Sequence, residues 1–406
     1  MIEIEPVRAW GREERELPAD VAAALAATGV VKVVPVDPPT RWQIETDSRV
    51  GIVVGDGWEL RIRPKLAIPK LLFLLAYSLK PKGWQDAVTG MRQERDVVDA
   101  LASGFAFHAG RAINQGLLRG YVAVEERRND LRGRIRFGDQ LARLPGLPLP
   151  LEVSYDDFTA DIPENRLLRT AIERLLMLPR IAPQARARLL RLRAVLQEVS
   201  MLPDRRGAAL PAITRLNKRY EAALVLGKLI LDGTSLRQDR GRVATTSFLF
   251  DMNEVFESFL STALREALER RAGGRVQLQY NGNYLDRGRI LRLKPDITWW
   301  HGGGCRAIVD AKYKAIEDAR FPNADAYQML AYCIGFGVQR GFLVYARDSL
   351  DRSRLHEIQR HGYEIEVLAL DVEQEPEELL RQVDGIAEKV TTSLPEDVIE
   401  AVAQPA

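Results

Sequence analysis

One stretch, residues 289–314, constrains the fold more than any other part of the sequence. It reads RILRLKPDITWWHGGGCRAIVDAKYK, in which two β-rich runs flank His301 and three successive glycines. This composition is typical of a tight reversal between antiparallel strands. The sequence therefore predicts a β-hairpin here.

The hairpin predicts which side chains share a face. Side chains two apart on a strand point the same way, so Asp310 and Lys312 lie together. If the three glycines form the loop, His301 pairs with Cys305. Asp296 then falls opposite Asp310, whereas a loop one residue longer shifts this register. Opposed residues have Cβ atoms roughly 5 Å apart, close enough for two carboxylates to bind one divalent cation.

These residue types suit the hydrolysis of a phosphodiester. Carboxylate oxygens bind Mg²⁺, which polarises a phosphoryl oxygen and lowers the pKa of a bound water. A nearby ammonium group orients that water or offsets the charge that grows on the phosphate. Two adjacent carboxylates repel each other without a metal, which favours a cation between them. Taken alone, Asp-x-Lys more often marks a solvated strand face in a chain with 28% charged residues.

A second signature follows the hairpin. The run ADAYQMLAYCIGF at residues 324–336 predicts a helix on which Gln328 and Tyr332, four apart, share a face. Pro-Asp, Asp-x-Lys and Gln-x-x-x-Tyr in this order resemble the PD-(D/E)xK nuclease superfamily, especially its RecB-like branch. The resemblance implies catalytic roles for five residues: Asp296, Asp310, Lys312, Gln328 and Tyr332.

In nucleases of this architecture, an acidic residue on the first helix can join the metal site. Glu257, on a helix predicted at residues 248–271, is therefore a third candidate ligand beside Asp296 and Asp310. An ordinary solvated helix glutamate is an equally good interpretation of this residue.

Composition and simple motifs exclude several other classes. The net charge of +2 means that nucleic-acid affinity must come from local patches. Two cysteines and four scattered histidines (His108, His301, His356 and His361) favour neither a disulfide scaffold nor structural zinc. The chain has no Gly-x-x-x-x-Gly-Lys-Ser/Thr motif, so it is not expected to bind a nucleotide through a P-loop. The apolar run at 71–79 predicts a helix too short to span a bilayer, and a cytoplasmic protein is expected.

The predicted fold class is α+β and multidomain. A β-rich module at residues 1–155, with an Asp56-Gly57 turn, precedes a helical, basic region at 156–245 and a restriction-endonuclease-like α/β domain at 246–406. Two β-like runs at 120–137 predict a projecting hairpin with a basic tip, for which a solvated hairpin end is the alternative. Residues 180–242 hold 14 Lys or Arg against 5 Asp or Glu, on helices predicted at 183–202 and 211–231.

Nearly the whole chain resembles the McrC family, the nuclease subunit of McrBC-type modification-dependent restriction systems. The resemblance is carried by the Asp296 and Asp310 motifs together with residues 50–77, 131–137, 158–176 and 248–259. It implies a Mg²⁺-dependent endonuclease subunit that cuts modified double-stranded DNA. It also implies a hexameric AAA+ GTPase partner, McrB, which binds the GTP and recognises the modification.

The same resemblance implies a role for the predicted basic hairpin. The N-terminal part of McrC enters the channel of the McrB ring and stimulates GTP hydrolysis. Four arginines are therefore candidate partner contacts: Arg127, Arg128, Arg132 and Arg134.

Two other functions remain open at this point. A stand-alone RecB-like nuclease would keep the chemistry without the partner, and it would cut DNA without nucleotide or a second protein. An adaptor that activates an AAA+ ring would keep the nuclease fold only as a scaffold. Replacing Lys312 by alanine separates these possibilities, because an adaptor would lose nothing.

Overall fold

The computed structural model describes residues 2–88, 96–143, 145–146, 148–203, 209–233, 246–313, 322–346, 354–360 and 362–392. In these ranges the chain is a mixed α/β protein with several separate sheets. His361, Lys314 at the end of the predicted hairpin, and parts of the basic segment at 204–208 and 234–242 lie outside the described residues.

The strands in chain order are β1 (Ile2–Arg8), β2 (Arg12–Glu16), β3 (Lys32–Val36), β4 (Arg41–Glu45), β5 (Arg49–Gly55), β6 (Trp58–Arg63), β7 (Gly120–Arg128), β8 (Arg134–Ile135), β9 (Leu151–Thr159), β10 (Thr246–Asp251), β11 (Arg275–Leu278), β12 (Asn283–Tyr284), β13 (Arg292–Leu293), β14 (Ile297–His301), β15 (Gly304–Lys312), β16 (Arg340–Ala346), β17 (Arg354–Glu357) and β18 (Glu364–Leu370). The α-helices are α1 (Ala19–Ala27), α2 (Ile68–Leu79), α3 (Trp84–Val88), α4 (Val97–Ile113), α5 (Phe137–Arg143), α6 (Pro163–Leu176), α7 (Pro183–Val195), α8 (Glu221–Asp232), α9 (Met252–Ala272), α10 (Asn323–Phe336) and α11 (Pro376–Thr392).

The chain divides into two compact units. Unit 1 contains Met1–Val88, Gln93–Val98 and Thr234–Ala406, and unit 2 contains Thr89–Arg92 and Asp99–Gly233. Compactness thus divides the chain differently from the three regions expected from sequence, whose boundaries at 155 and 245 stay predictions. The N-terminal strands and the hairpin at 289–314 lie in the same unit.

In unit 1, the N-terminal strands form a sheet with a strand from much later in the chain. The order is β1-β6-β5-β10, and β10 pairs antiparallel with β5 so that Phe248 lies opposite Ile52. The predicted turn at Asp56-Gly57 is confirmed: Gly55 pairs with Trp58, and Gly57 has a φ of +77°. The predicted helix at 71–79 is confirmed as α2.

The helix α9 packs against α2 through aromatic rings. Phe259 of α9 lies 5.5 Å from the Phe73 ring and 5.4 Å from the Tyr77 ring. Tyr77 also donates a hydrogen bond of 2.9 Å to Glu266 Oε2. These contacts bury one side of α9 and fix the helix that carries Glu257.

The second large sheet of unit 1 carries the predicted hairpin. Its order is β11-β14-β15-β16-β18-β17, with β14–β15 antiparallel and both β15–β16 and β16–β18 parallel. The helix α10 connects β15 to the parallel strand β16, as a parallel pair requires. From α9 onward the main elements follow the order α9, β11, β14, β15, α10, β16 and β18, while β12, β13 and β17 are additional short strands.

Unit 2 corrects three predictions. Its sheet has the order β7-β9-β8, so β9 separates the two strands at 120–137, and the predicted hairpin between them is wrong. Each run pairs with β9 because that nine-residue strand offers two hydrogen-bonding edges. The helix predicted at 183–202 ends at Val195, and the one predicted at 211–231 begins at Glu221, after a 3₁₀ turn at Lys218–Tyr220.

Among the described residues, no helix combines the length and the apolar character that crossing a bilayer requires.

Candidate active site

The hairpin of β14 and β15 closes more tightly than predicted. Its loop is Gly302 and Gly303 alone, with φ values of +58° and +80°, a conformation that favours glycine. His301 therefore pairs with Gly304, and the predicted pairing with Cys305 is wrong.

A β-bulge then restores the register that the sequence predicts for the rest of the hairpin. Trp300 pairs with Cys305 but Trp299 pairs with Ala307, so Arg306 is the extra residue. Beyond the bulge, Ile297 lies opposite Val309. The next pair in that register is Asp296 and Asp310, which is the opposition that the sequence predicts.

The two aspartates lie in a poorly solvated setting. Asp310 is 2% exposed, and Asp296 Oδ2 accepts a hydrogen bond of 2.9 Å from the Ala311 backbone N–H. Burial raises the pKa of Asp296, and the neighbouring charges of Asp310 and Glu257 raise it further. The Asp296 carboxylate therefore carries its negative charge at a free-energy cost.

Lys312 lies beside Asp310 on the same strand face. Its Nζ forms an ion pair with Asp310 Oδ2 and donates a hydrogen bond of 3.1 Å to Gln328 Oε1. Burial lowers the pKa of Lys312, but the charge of Asp310, the hydrogen bond to it and the charges of Asp325 and Asp296 together outweigh burial, and the pKa is raised overall. Lys312 is therefore a cation at neutral pH.

A hydrogen-bonded chain joins this lysine to the residues before Asp296. Gln328 Nε2 donates to the Tyr332 hydroxyl at 2.8 Å, and that hydroxyl donates to the Lys294 carbonyl oxygen at 3.0 Å. Burial raises the pKa of Tyr332 to about 12, so the hydroxyl keeps its proton. The three sequence signatures thus form one connected cluster.

Glu257 lies near this cluster on α9. It is half-buried, and Gln279 Nε2 donates a hydrogen bond to its Oε1. Its charge contributes to the raised pKa of Asp296. Within the described ranges, however, no three or more His, Cys, Asp or Glu side chains come together as a metal-binding group, and its role as a ligand stays a prediction.

The sequence reasoning missed a further buried carboxylate, Asp325. It is 5% exposed on the first turn of α10 and accepts a hydrogen bond of 2.6 Å from the Tyr345 hydroxyl. Its charge also raises the pKa of Lys312. The signal was the helical spacing, because Asp325 lies three residues before Gln328 on the same helical face.

The four candidate arginines of unit 2 are mostly paired within the chain. Arg127 forms an ion pair with Glu152, Arg128 with Glu126 and Asp130, and Arg132 with Asp157. Arg134 is exposed and forms no ion pair with any described residue. Of the four, Arg134 has the guanidinium most open to an outside contact.

The donor set around Asp310 fits a hard divalent cation. Asp310 Oδ2 is buried and, apart from its ion pair with Lys312, accepts no hydrogen bond from a described residue. A carboxylate oxygen that is engaged by one ammonium group keeps a lone pair with which it can bind a cation. Two carboxylates with such an oxygen offer the ligands that Mg²⁺ prefers.

Comparison with known proteins identifies a family for this chain. The family model for the McrBC 5-methylcytosine restriction system component matches residues 44–346. No curated protein matches the sequence significantly.

Solved structures supply a likeness in fold. A chain in the refined half-complex from a tetradecameric assembly of Thermococcus gammatolerans McrB AAA+ hexamers with bound McrC is similar, with a TM-score of 0.60 and 17% identity over 95% of this chain and 99% of that chain. A chain in the cryo-EM structure of the Thermococcus gammatolerans McrBC complex has a TM-score of 0.39 and 20% identity over 66% of this chain and 88% of that chain. The family match spans well over half of the sequence and confirms the family expected from its motifs. The chain belongs to the McrBC 5-methylcytosine restriction system component family.

Proposed function

We propose that this chain is a McrC-type subunit that hydrolyses DNA phosphodiesters with Mg²⁺ in a PD-(D/E)xK domain. The observation that carries the proposal is the cluster at the end of the hairpin, in which Asp296 accepts a hydrogen bond from the Ala311 N–H and Lys312 forms an ion pair with Asp310. The mixed sheet around β15, with α10 crossing to the parallel strand β16, supports that domain assignment.

Each side chain of the cluster has a role in this proposal. Asp296 and Asp310 would hold the cation, with Glu257 as a further candidate ligand. The cation would supply Lewis acidity toward the phosphate and a bound water. Lys312 places its ammonium where it donates to a phosphate oxygen and offsets the charge that develops there.

The remaining residues position that lysine. Gln328 accepts a hydrogen bond from Lys312, and Tyr332 holds Gln328 by another. Because Tyr332 also donates to the Lys294 carbonyl, the helix α10 ties the ammonium to the backbone that carries Asp296. We assign Gln328 and Tyr332 to positioning.

The partner in this proposal is a McrB-like AAA+ GTPase hexamer. Support comes from the family match and from the similar fold in an assembly of McrB hexamers with bound McrC. That partner would bind GTP, and the substrate would be double-stranded DNA with methylated cytosine, as the family description indicates. Such a complex would act in the cytoplasm.

Cleavage of plasmid DNA tests the nuclease. Methylated and unmethylated plasmids are incubated in Mg²⁺ with the chain and its GTPase partner, with and without GTP. The proposal predicts methylation- and GTP-dependent cutting that falls at least about 100-fold in Lys312→Ala, the size of effect expected when electrostatic stabilisation is removed. Lys389→Ala is the control, because that lysine also pairs with a carboxylate, Glu366, but lies on α11. Cutting that survives in Lys312→Ala would contradict the assignment.

Other outcomes of this assay identify the alternatives. Cutting by the chain alone, without partner or nucleotide, would indicate an independent nuclease. Stimulated GTP hydrolysis without any cutting would indicate an adaptor.

The arginines of unit 2 are tested by the partner's GTPase rate. Because Arg134 is exposed and has no ion pair among the described residues, Arg134→Ala is expected to lower stimulation most. Arg128→Ala is the comparison, since Glu126 and Asp130 already engage that guanidinium. Unchanged stimulation after replacing both Arg132 and Arg134 by alanine would remove this surface from the proposed interface.

A further inference from the structure

A short hairpin immediately before Asp296 presents apolar side chains to solvent. It consists of β12 and β13, which pair through Asn283 with Leu293 and Tyr284 with Arg292. In its loop, Ile290 is 82% exposed and Leu291 is 55% exposed. Adjacent large aliphatic residues that are exposed in this way are typical of a surface that binds another molecule.

Cations surround this apolar tip. Four exposed residues share this property: Arg287, Arg289, Arg292 and Lys294. In the described part of the chain, none of the four forms an ion pair. The nearby Asp286 carboxylate is engaged by its own loop, because Oδ1 accepts the backbone N–H groups of Ile290 at 2.9 Å and Leu291 at 2.7 Å. The surface is therefore positive and apolar together.

The hairpin is anchored rather than loose. Asn283 Nδ2 donates to the Gly335 carbonyl of α10 at 2.6 Å, and the Tyr332 hydroxyl donates to the Lys294 carbonyl. On the hairpin itself, the Tyr284 ring lies 5.3 Å from the Arg289 guanidinium and 5.5 Å from that of Arg292. These contacts hold the cations in place before any ligand arrives.

The position of the hairpin relates it to the cleavage site. Lys294 is two residues from Asp296, and its carbonyl is the end of the chain that starts at Lys312. A polyanion that reaches the two aspartates would therefore also contact the cations of this hairpin, which directly precede Asp296 in the sequence.

We infer that the β12–β13 hairpin is a duplex DNA contact, in which the cations bind backbone phosphates near the scissile bond and Ile290 enters a groove. This inference rests on the proposed function and names how the substrate is held. Guanidinium groups without an ion pair among the described residues match phosphates, and apolar side chains flanked by cations are a recurrent means of entering the minor groove. Tyr332, which touches both the hairpin and Gln328, couples this contact to Lys312.

The charge is tested with a substitution that the backbone tolerates. Arg289 has a φ of +56°, so Arg289→Gly removes the guanidinium without strain, and exposed Arg360, with a φ of +63°, offers the matched control Arg360→Gly. The binding of a fluorescent duplex to the full-length chain is followed by anisotropy in EDTA over a range of salt concentrations. The slope of log K against log salt should fall by about 0.9 for Arg289→Gly. Arg360→Gly should leave the slope unchanged.

The apolar tip is tested separately. Ile290→Ala removes no charge, so affinity should fall by about fivefold while the salt slope stays the same. Leu355→Ala, at a 46% exposed aliphatic residue on β17, is its control and should bind DNA as the wild type does.

Three results would overturn the inference. The first is wild-type affinity and salt slope in both hairpin variants, and the second is an equal loss of affinity in their controls. The third is intact DNA binding together with lost stimulation of the GTPase partner, which would make the hairpin a protein contact. Failure of the nuclease proposal is distinguished by a different readout, since it appears as cutting that survives in Lys312→Ala. Hairpin variants should keep the thermal stabilisation by Mg²⁺, which shows that the fold and the carboxylates are intact.

Discussion

At the end of the β14–β15 hairpin, two carboxylates lie close enough for the charge of Asp310 to act on Asp296. Asp310 is buried, and the pKa of Asp296 is raised first by its own burial and then by the charge of Asp310. Lys312 neutralises only part of this charge. The metal site that we propose here would relieve this cost, because a divalent cation favours the charged form of a carboxyl group.

One prediction follows for stability without metal. A carboxyl whose pKa is raised by folding stabilises the protein fully below the ordinary Asp pKa, and this contribution is lost as pH rises through the raised value. The free energy of unfolding in EDTA should therefore decrease with rising pH for the wild type. Asp296→Asn, which keeps an oxygen for the Ala311 N–H, should remove that decrease and gain about 2 kcal/mol at alkaline pH.

Urea unfolding across this pH range makes the measurement. A variant that is as sensitive to alkaline pH as the wild type would show that Asp296 is not the strained carboxyl.

A second prediction concerns the tyrosine that links two parts of the site. Tyr332→Phe removes the hydrogen bonds to the Lys294 carbonyl and from Gln328. Stability should fall by about 1 kcal/mol, the value of a typical buried hydrogen bond. The cleavage rate should fall roughly tenfold because Lys312 loses its orientation.

Tyr77→Phe is the control for this tyrosine, since it loses a hydrogen bond to Glu266 on α9. It should lower stability without changing the rate at saturating Mg²⁺. Equal rates in Tyr332→Phe and the wild type would leave Tyr332 a structural residue only.

How far the sequence predicts this site depends on the residue. The two-residue period places Asp310 with Lys312, and the four-residue helical period places Gln328 with Tyr332. The opposition of Asp296 was predicted from a three-glycine loop, whereas the molecule reaches it with a two-glycine loop and a bulge at Arg306. A bulge depends on local strand twist, and the periodic pattern of apolar and polar residues in the sequence does not indicate that twist.

At the level of elements, α10 is held on the sheet by a close approach to β16. A Cβ on Gly341 would overlap Met329 of α10 and lie 2.8 Å from Cys333 Sγ. The core around this contact is fully buried and includes Ile308 and Leu343. The absence of a side chain at Gly341 therefore determines how deeply α10, and with it Gln328, lies on the sheet.

Gly341→Ala should consequently affect both stability and catalysis. Overpacking should cost about 1 to 3 kcal/mol of unfolding free energy. Cleavage should fall as α10 moves from Lys312. Gly385→Ala in α11 is the control, because a Cβ there meets nothing within 4 Å and should stabilise the helix by about 0.5 to 1 kcal/mol. Unchanged cleavage in Gly341→Ala would show that catalysis does not depend on how deeply α10 packs on the sheet.

Elements differ in how much the sequence alone reveals about them. The helix α2 follows from its apolar run, and the β5–β6 hairpin follows from its Asp-Gly turn. The order β7-β9-β8 does not, because the insertion of β9 between two earlier strands is a long-range pairing. Strand alternation identifies a strand but not its neighbour.

For the whole molecule, the N-terminal strands belong to the same compact unit as the β14–β15 hairpin. The strand β10 completes the sheet with β5, and Tyr313, next to Lys312, lies 5.3 Å from the Trp10 ring and 5.6 Å from that of Phe256. Sequence order had placed these segments in separate regions. Only the fold brings together residues that stand about 300 positions apart.

Truncation tests this organisation. A chain in which residues 99–233 are replaced by a flexible linker keeps all of unit 1 and should unfold cooperatively and bind Mg²⁺. The fragment 246–406 lacks β5, so β10 loses its pairing partner, and this fragment should not unfold cooperatively. Cooperative unfolding of the fragment would show that the C-terminal part is independent of the N-terminal strands.

The central claim is that Asp296 and Asp310 together hold a divalent cation. Calorimetric titration of the full-length chain with Mg²⁺ tests it most directly, with Asp310→Asn and Glu257→Gln as variants. The wild type should bind Mg²⁺ and release protons, because a cation lowers the raised pKa of Asp296. Asp310→Asn should abolish this binding, whereas Glu257→Gln weakens it only if Glu257 is a ligand. Binding of equal affinity in Asp310→Asn and the wild type would contradict the account.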